Sequence, residues 1–367
     1  MPIVLDARTA HDHFPGIGRY VVNLAHALKR IAPDFDLIVL RDPTAKSRLA
    51  LPNLPTTDCP ISPFSIRQQW IVPRQLRGLR ATLYHSSYYL MPYRPGAPTV
   101  LTCYDLIPIV YPQYFSAAQR LIYRITHILA LNTARTTLAI SELTRSDLAR
   151  HFRASAQRIV VTPLAADAHF TPQPPERIAA VRRTYKLPER YVLYFGSNKP
   201  HKNLIRLIQA WQRSAVSRQR SALVVAGHWD TRYNETRQLV EALNLNDRVV
   251  FAGPIDDADL PALYSGAQLF AFPSLYEGFG LPALEAMTCG TPVACSNTSS
   301  LPEVVGDAGL LFDPLDVGAM ADTLRRALND DELCADLRQR GLQRAAQFTW
   351  ERTAERTLGV YRDLSSG

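Results

Sequence analysis

Residues 277–285 read Glu-Gly-Phe-Gly-Leu-Pro-Ala-Leu-Glu. This string sets two carboxylates eight positions apart, with two glycines and a proline between them. The apolar run 267–272 just before it predicts a buried strand. Pro282 suits the first turn of a helix, where its missing N–H costs nothing. Residues 283–289 continue as helix formers. The stretch therefore reads as strand, tight glycine loop and helix start, with Gly278, Phe279, Gly280 and Leu281 making the turn. Such a junction aims backbone N–H groups at a cavity, and the helix dipole favours an anion there. Glu277 falls in the loop and Glu285 about one turn into the helix. Carboxylates accept hydrogen bonds from vicinal hydroxyls, so the pair suits a sugar on one side, a ribose on the other and a diphosphate between. The plain alternative is two surface glutamates flanking an ordinary strand–helix junction.

Outward from this stretch, apolar strand-like runs alternate with helical patterns, the mark of parallel α/β layers. Residues 3–5, 36–40, 83–86, 99–103, 137–141 and 159–163 read as strands of a first series. Residues 191–195, 222–226, 249–252, 269–272 and 292–295 read as strands of a second. Between them, Thr171-Pro-Gln-Pro-Pro175 reads as a stiff connector. The expected domains are 1–170 and 188–350, followed by a helix over about 351–367.

The 367 residues suit two domains of ordinary size. With 47% hydrophobic and 20% charged residues, the composition is that of a globular protein. No apolar run reaches the roughly 18 residues of a membrane span. The opening Met-Pro-Ile-Val-Leu-Asp leads directly into a strand, with no visible leader. Five scattered cysteines form no Cys-x-x-Cys pair, which argues for a reducing compartment and against a zinc site or disulfide framework. Charge is uneven. Residues 1–170 hold 19 Lys/Arg against 10 Asp/Glu, a net of +9, and residues 171–367 hold 22 against 23, a net of −1. A basic half suits anionic lipid, a pyrophosphate-linked acceptor or nucleic acid; a generally arginine-rich proteome would explain it too.

Four further strings follow strands. Gly196-Ser197-Asn-Lys-Pro-His201-Lys202-Asn ends a strand and opens a helix. Its glycine permits close approach of a ligand, and Lys202 could neutralise a leaving diphosphate. Gly16-Ile-Gly18-Arg-Tyr20 lies between the first strand and a helix over about 20–31, where glycine N–H groups can meet a phosphate. It lacks the Gly-Lys-Ser/Thr ending of a P-loop. Thr102-Cys-Tyr104-Asp105 offers Asp105 as a proton acceptor or acceptor-orienting group, or as a turn aspartate. Asp256-Asp257-Ala-Asp259 has acidic spacing that could suggest a metal, but it follows Pro254 and opens a helix pattern, so no metal site is assigned.

The Glu277–Glu285 segment resembles the E-x7-E signature of family 4 retaining glycosyltransferases, which have the GT-B fold. The other strings agree in order and spacing over nearly the whole chain. Gly16 to Tyr20 resembles that family's Gly-Ile-Gly-Arg-Tyr loop. Residues 196–203 resemble its Gly-Ser-x-x-Pro-Arg-Lys-Asn, with His201 where arginine is usual, so that one phosphate contact is expected to be weaker or pH-dependent. Tyr104-Asp105 stands where the family commonly has His-Asp. Tyr84-His85-Ser-Ser-Tyr resembles its His-Ser-Pro-x-Tyr segment, which puts His85 on the acceptor side; a histidine at a strand end also serves as a structural hydrogen-bonder.

The resemblance implies an α/β protein of two Rossmann-like domains with parallel sheets facing a central cleft. The acceptor would bind mainly to the first domain, and the last helix would pack back on it. The implied reaction moves a hexose from a nucleotide-diphosphate sugar to a glycan or polyprenyl-diphosphate-linked acceptor, with retention and without a metal or other cofactor. Glu277, Lys202 and Asp105 would be catalytic. Gly18, Gly196, Ser197, Lys202, Glu277, Gly278, Phe279, Gly280, Leu281 and Glu285 would hold the donor, and His85 and Tyr104 would line the acceptor side. GDP-mannose in surface polysaccharide synthesis is the leading donor. A sugar-nucleotide epimerase or phosphorylase of the same fold, or a non-catalytic anion- or nucleic-acid-binding protein, are the alternatives; no nucleic-acid-binding module is recognisable. A cytoplasmic location is expected. Residues 66–80 interleave Arg67, Arg74, Arg77 and Arg80 with Ile66, Trp70, Ile71, Leu76 and Leu79, with Pro73 dividing them into two short pieces. Together with the basic first half, they suggest peripheral contact with an anionic membrane at the inner face.

Overall fold

The computed structural model describes residues 2–11, 15–44, 51–214 and 221–365. The chain divides into two units, Met1–Leu164 with Thr349–Gly367, and Ala165–Phe348. The first is built on strands β1 (Ile3–Asp6), β2 (Leu37–Arg41), β3 (Thr56–Asp58), β4 (Leu83–Ser86), β5 (Thr99–Cys103), β6 (Thr136–Ala139) and β7 (Ile159–Val161), in the order 3-2-1-4-5-6-7. The second is built on β8 (Tyr191–Phe195), β9 (Ala222–Ala226), β10 (Val249–Gly253), β11 (Leu269–Phe272), β12 (Val293–Ser296) and β13 (Leu310–Phe312), in the order 10-9-8-11-12-13. Every pairing is parallel. Parallel strands covered by helices on both faces read as continuous apolar runs; accordingly β4, β5, β9, β11 and β12 are buried along their whole lengths. Both sheets are α/β and Rossmann-like. In each, the strand order reverses once, between β1 and β4 and between β8 and β11, and ligands bind at the carboxyl ends of strands beside such a reversal.

The strands read from sequence occur within one or two residues of their expected ends. β3 and β13 were not foreseen. Each has three residues, too few to show a period, and Thr56-Thr-Asp58 on the sheet edge is polar. Residues 171–187 are not merely a connector. Pro174 is extended and Pro175 opens the helix Pro175–Thr184 within the second unit, because a proline at the first helical position comes with its φ already set. Pro73 does not divide residues 66–80. A single helix spans Gln68–Gly78, anchored by buried Gln68, Val72 and Leu76 at fourfold spacing; Val72 and Leu76 pack on Val4, Leu40, Cys59 and Tyr84.

The last helix, Trp350–Ser365, belongs to the first unit. Tyr361 stacks on Phe35 at 6.3 Å, and Trp350 meets Tyr20 at 6.1 Å. Thr353 and Arg356 donate to the carbonyls of Pro163 (2.6 Å) and Val161 (2.8 Å).

Candidate active site

The candidate site sits on the second sheet where its order reverses. β8 and β11 lie side by side there, with Phe270 opposite Leu193. The chain leaving β8 turns at Gly196, where an added Cβ would stand 2.9 Å from the Tyr194 hydroxyl, and that hydroxyl donates to the Ser197 carbonyl at 2.6 Å. A Cβ on Gly227 would come within 2.3 Å of the Gly196 carbonyl oxygen, so the turns after β8 and β9 approach backbone to backbone. Buried Asn198 locks them together, donating to the carbonyls of Asp230 and Tyr233 and accepting from the Asp230 N–H at 2.7 Å.

Lys202 ends the short 3₁₀ turn Pro200–Lys202. Next to it, Asn203 is left-handed (φ +61°) and ties the turn to the carbonyls of Pro273 (3.0 Å) and Pro314 (2.8 Å). The lysine is thereby pointed across to the loop after β11. Its Nζ donates to both carboxylate oxygens of Glu277, at 2.7 and 2.9 Å, and stands 5.6 Å from the centre of the Phe272 ring. The two side chains are only 17% and 12% exposed. Charge-assisted, forked contacts of this kind fix geometry as well as contributing energy.

The loop holding Glu277 is clamped through its backbone. Ser299 Oγ accepts from the Glu277 N–H and donates to the Glu277 carbonyl, both at 2.7 Å. Ser300 Oγ lies 2.8 Å from the carbonyls of Glu277 and Phe279. Ser299 takes a left-handed φ of +65°, a conformation a non-glycine residue holds only where its surroundings impose it. Gly280, at φ +106°, turns the chain into the helix Leu281–Thr288, and a Cβ there would meet Leu301 at 2.6 Å. Glu285, one turn in, is 5% exposed and accepts from the Tyr264 hydroxyl at 3.0 Å. Ser299 and Ser300 are not among the site residues expected from the sequence. The available signal was a serine pair directly before Leu-Pro, a helix start pointed back at the glutamate loop.

Comparison with known proteins shows the family. A family profile described as Glycosyltransferase Family 4 matches residues 15–170, and one described as Glycosyl transferases group 1 matches residues 180–344. An O-antigen chain mannosyltransferase B of Escherichia coli is 38% identical over 301 residues, 81% of this chain and 77% of the relative. The chain belongs to the family 4, group 1 glycosyltransferases. A serotype-specific mannosyltransferase WbdA, also of Escherichia coli, is 32% identical over 73% of this chain, which spans about a third (34%) of that longer relative. Among solved structures, a sucrose-phosphate synthase from Thermosynechococcus elongatus superposes with a TM-score of 0.77 at 26% identity, covering 100% of this chain and 99% of its own. The two parallel α/β units are therefore a GT-B glycosyltransferase, and the enzyme is a hexosyltransferase.

Several expected site residues of this glycosyltransferase need correcting. His85 does not line an acceptor surface. It is fully buried in β4, with Nδ1 2.5 Å from the Tyr361 hydroxyl and Nε2 2.8 Å from Thr102 Oγ1. Burial lowers its pKa to about 3, so it is a neutral structural link between strand and last helix. Asp105 Oδ1 accepts from the Ile107 N–H at 3.1 Å, making it a turn aspartate that starts the helix Ile107–Val110, though it keeps partial exposure. Tyr104 lies edge-on to Tyr20 at 5.4 Å, and its hydroxyl is buried with no hydrogen-bond partner among the described residues. Gly18 is not in a loop. The helix begins at Pro15, five residues before the expected start, so Gly16 and Gly18 occupy its first turn, where N–H groups have no partner within the helix. His201 is buried, and burial followed by the nearby Lys202 and Lys199 charges lowers its pKa to about 3. It is no pH-dependent phosphate contact near neutrality. Asp259 is engaged by Arg177 at 2.5 Å and by the Tyr185 hydroxyl at 2.9 Å, at the start of the helix Leu260–Ser265.

Proposed function

We propose that this glycosyltransferase moves a mannosyl group from GDP-mannose to a hydroxyl of a glycan or lipid-linked acceptor in surface polysaccharide synthesis, with retention of configuration and without a metal. The observation that carries the reading is the Lys202–Glu277 pair at the β8–β11 reversal. The mannosyltransferase relatives support the choice of sugar.

In this reading a diphosphate occupies the crevice at the carboxyl ends of β8 and β11, between the Gly196-Ser197 turn and the Gly278-Phe279-Gly280-Leu281 loop. Lys202 turns one or more of its donors to the β-phosphate and stabilises the charge that develops as the glycosidic C–O bond breaks. Glu277, released from part of that contact, accepts hydrogen bonds from donor-sugar hydroxyls. Glu285, fixed by Tyr264, accepts from the ribose. The leaving phosphate takes the acceptor's proton on the face from which it departs, which accounts for retention without a carboxylate nucleophile.

A contact to the reacting sugar strengthens in the transition state, whereas a ribose contact holds ground and transition states alike. Glu277→Gln should lower kcat with a modest change in donor KM. Glu285→Gln should raise donor KM and weaken calorimetric binding of GDP. Loss of GDP affinity in the Glu277 variant alone would reverse the two roles. No effect of either variant on transfer or binding would remove the donor site from this loop.

A further inference from the structure

The helix Ala117–Thr133 in the first unit is turned the wrong way round for a core-facing helix. Its buried residues are His127 and Ala130. Leu121, Ile122, Ile125, Ile128 and Leu129 are exposed. At about 100° per residue, these five fall within one outward stripe, and exposed Arg120 and Arg124 border it along one side. A second exposed apolar group, Phe64, Ile66 and Trp70, sits at the start of the helix Gln68–Gly78. The eight residues are 41% to 69% exposed. A chain of ring contacts runs from this group to the inner side of the stripe-bearing helix, which sets the two groups in the same region of the unit: Phe64 to Tyr88 at 6.2 Å, Tyr88 to Tyr89 at 4.4 Å, and Tyr89 to Tyr123 at 5.1 Å. Of the arginine-rich segment singled out in the sequence, Ile71, Leu76 and Leu79 pack inward, so only its first residues contribute.

Charge identifies what covers this face. Residues 59–141 contain eight arginines, no lysine and a single acidic residue, Asp105. All eight arginines are exposed. This stretch, which bears both apolar groups, thus carries +7 of the first half's +9. A second copy of the chain would bring two such surfaces together and repel itself. An anionic bilayer neutralises them while taking up the apolar stripe.

We propose that the first unit docks on an anionic phospholipid bilayer through this face. The Leu121–Leu129 stripe and the Phe64-Ile66-Trp70 knob enter the headgroup–acyl boundary, and Arg67, Arg120 and Arg124 meet lipid phosphates around them. Tryptophan at that depth is favoured because its ring is apolar at one end and polar at the other.

The experiment is co-flotation of the full chain with vesicles of phosphatidylcholine alone and of phosphatidylcholine mixed with phosphatidylglycerol, at low and high salt. Binding should be confined to the anionic vesicles, fall with salt, and shift Trp70 emission to the blue, a shift that Trp70→Phe abolishes. The Ile122→Ser, Ile125→Ser double variant and the Arg120→Gln, Arg124→Gln double variant should each lose at least about tenfold in vesicle affinity, with unchanged circular dichroism and unchanged transfer to a short water-soluble acceptor. Equal binding to neutral vesicles, full binding by either double variant, or no binding at low salt would overturn the proposal. A dimer by light scattering that the isoleucine substitutions dissolve would instead assign the face to a second copy. Transfer to the water-soluble acceptor reports the donor site separately, so its failure is distinguishable from failure of docking.

Discussion

Lys202 grips both oxygens of a carboxylate that is itself mostly buried, so the two residues act as a unit. Lys202→Ala should lower transfer by at least about tenfold, since one oxyanion-stabilising donor is worth roughly 2.7–4 kcal/mol. Initial rates beside a circular-dichroism check of folding test this, and wild-type rates would dismiss the lysine. Ser299 belongs to the same unit because it binds both the N–H and the carbonyl of Glu277. Ser299→Ala should lower kcat more than it raises GDP Kd, and Ser299→Thr, which restores a hydroxyl, should recover part of the loss. Lys202 and Glu277 were each legible from their own local strings. Their contact was not, because they lie 75 positions apart and meet only because the strand order sets β8 against β11. His85 misled for a related reason. β4 is buried along its whole length, so no alternation marks which of its residues face inward.

At the scale of elements, three buried histidines among the described residues make the fold sensitive to acid. His85 couples β4 to the last helix, His127 lies on the inner side of the helix Ala117–Thr133, and His201 lies in the turn that ends at Lys202. Burial lowers each to about 3 from the usual 6.5. The folded protein thus keeps them neutral, while the unfolded chain takes up protons as pH falls below 6.5. Their contribution is fully present above that value and is lost between about 6.5 and 3, at up to about 1.4 kcal/mol per group per pH unit. Carboxylates titrate lower, so the span from about 6.5 to 5 isolates the histidines. Thermal unfolding should be flat above it and decline through it, and a flat profile down to pH 5 would contradict the burial of these rings. The glycine turn offers a second element-level test. Gly280→Ala places a methyl against Leu301 at a strained φ, so it should cost about 1–3 kcal/mol in denaturant unfolding and distort the loop that carries Glu277. The strands around both features were readable because parallel, doubly covered strands are continuous apolar runs. Helix starts were less so: Pro15 and Pro175 open helices in stretches whose proline and glycine content reads as loop.

For the whole molecule, the chain is a hexosyltransferase of two α/β units whose proposed donor chemistry rests on one lysine, two glutamates and a glycine turn in the second unit, while charge and exposed apolar surface gather in the first. In the proposed reading Lys202 takes up the phosphate's charge, so transfer should persist in excess chelator, and complete loss reversed by Mg²⁺ or Mn²⁺ would show that the Asp256–Asp259 cluster or another acidic group was misread. The most direct test of the donor reading is to incubate the protein with a panel of nucleotide sugars and follow nucleoside diphosphate release and product anomeric configuration by NMR. The account predicts release of GDP from GDP-mannose above all others, an α-mannoside product of unchanged configuration, and suppression of both by Lys202→Ala. Inversion at the anomeric carbon, interconversion of sugars without release of diphosphate, or release unaffected by the Lys202 substitution would contradict it.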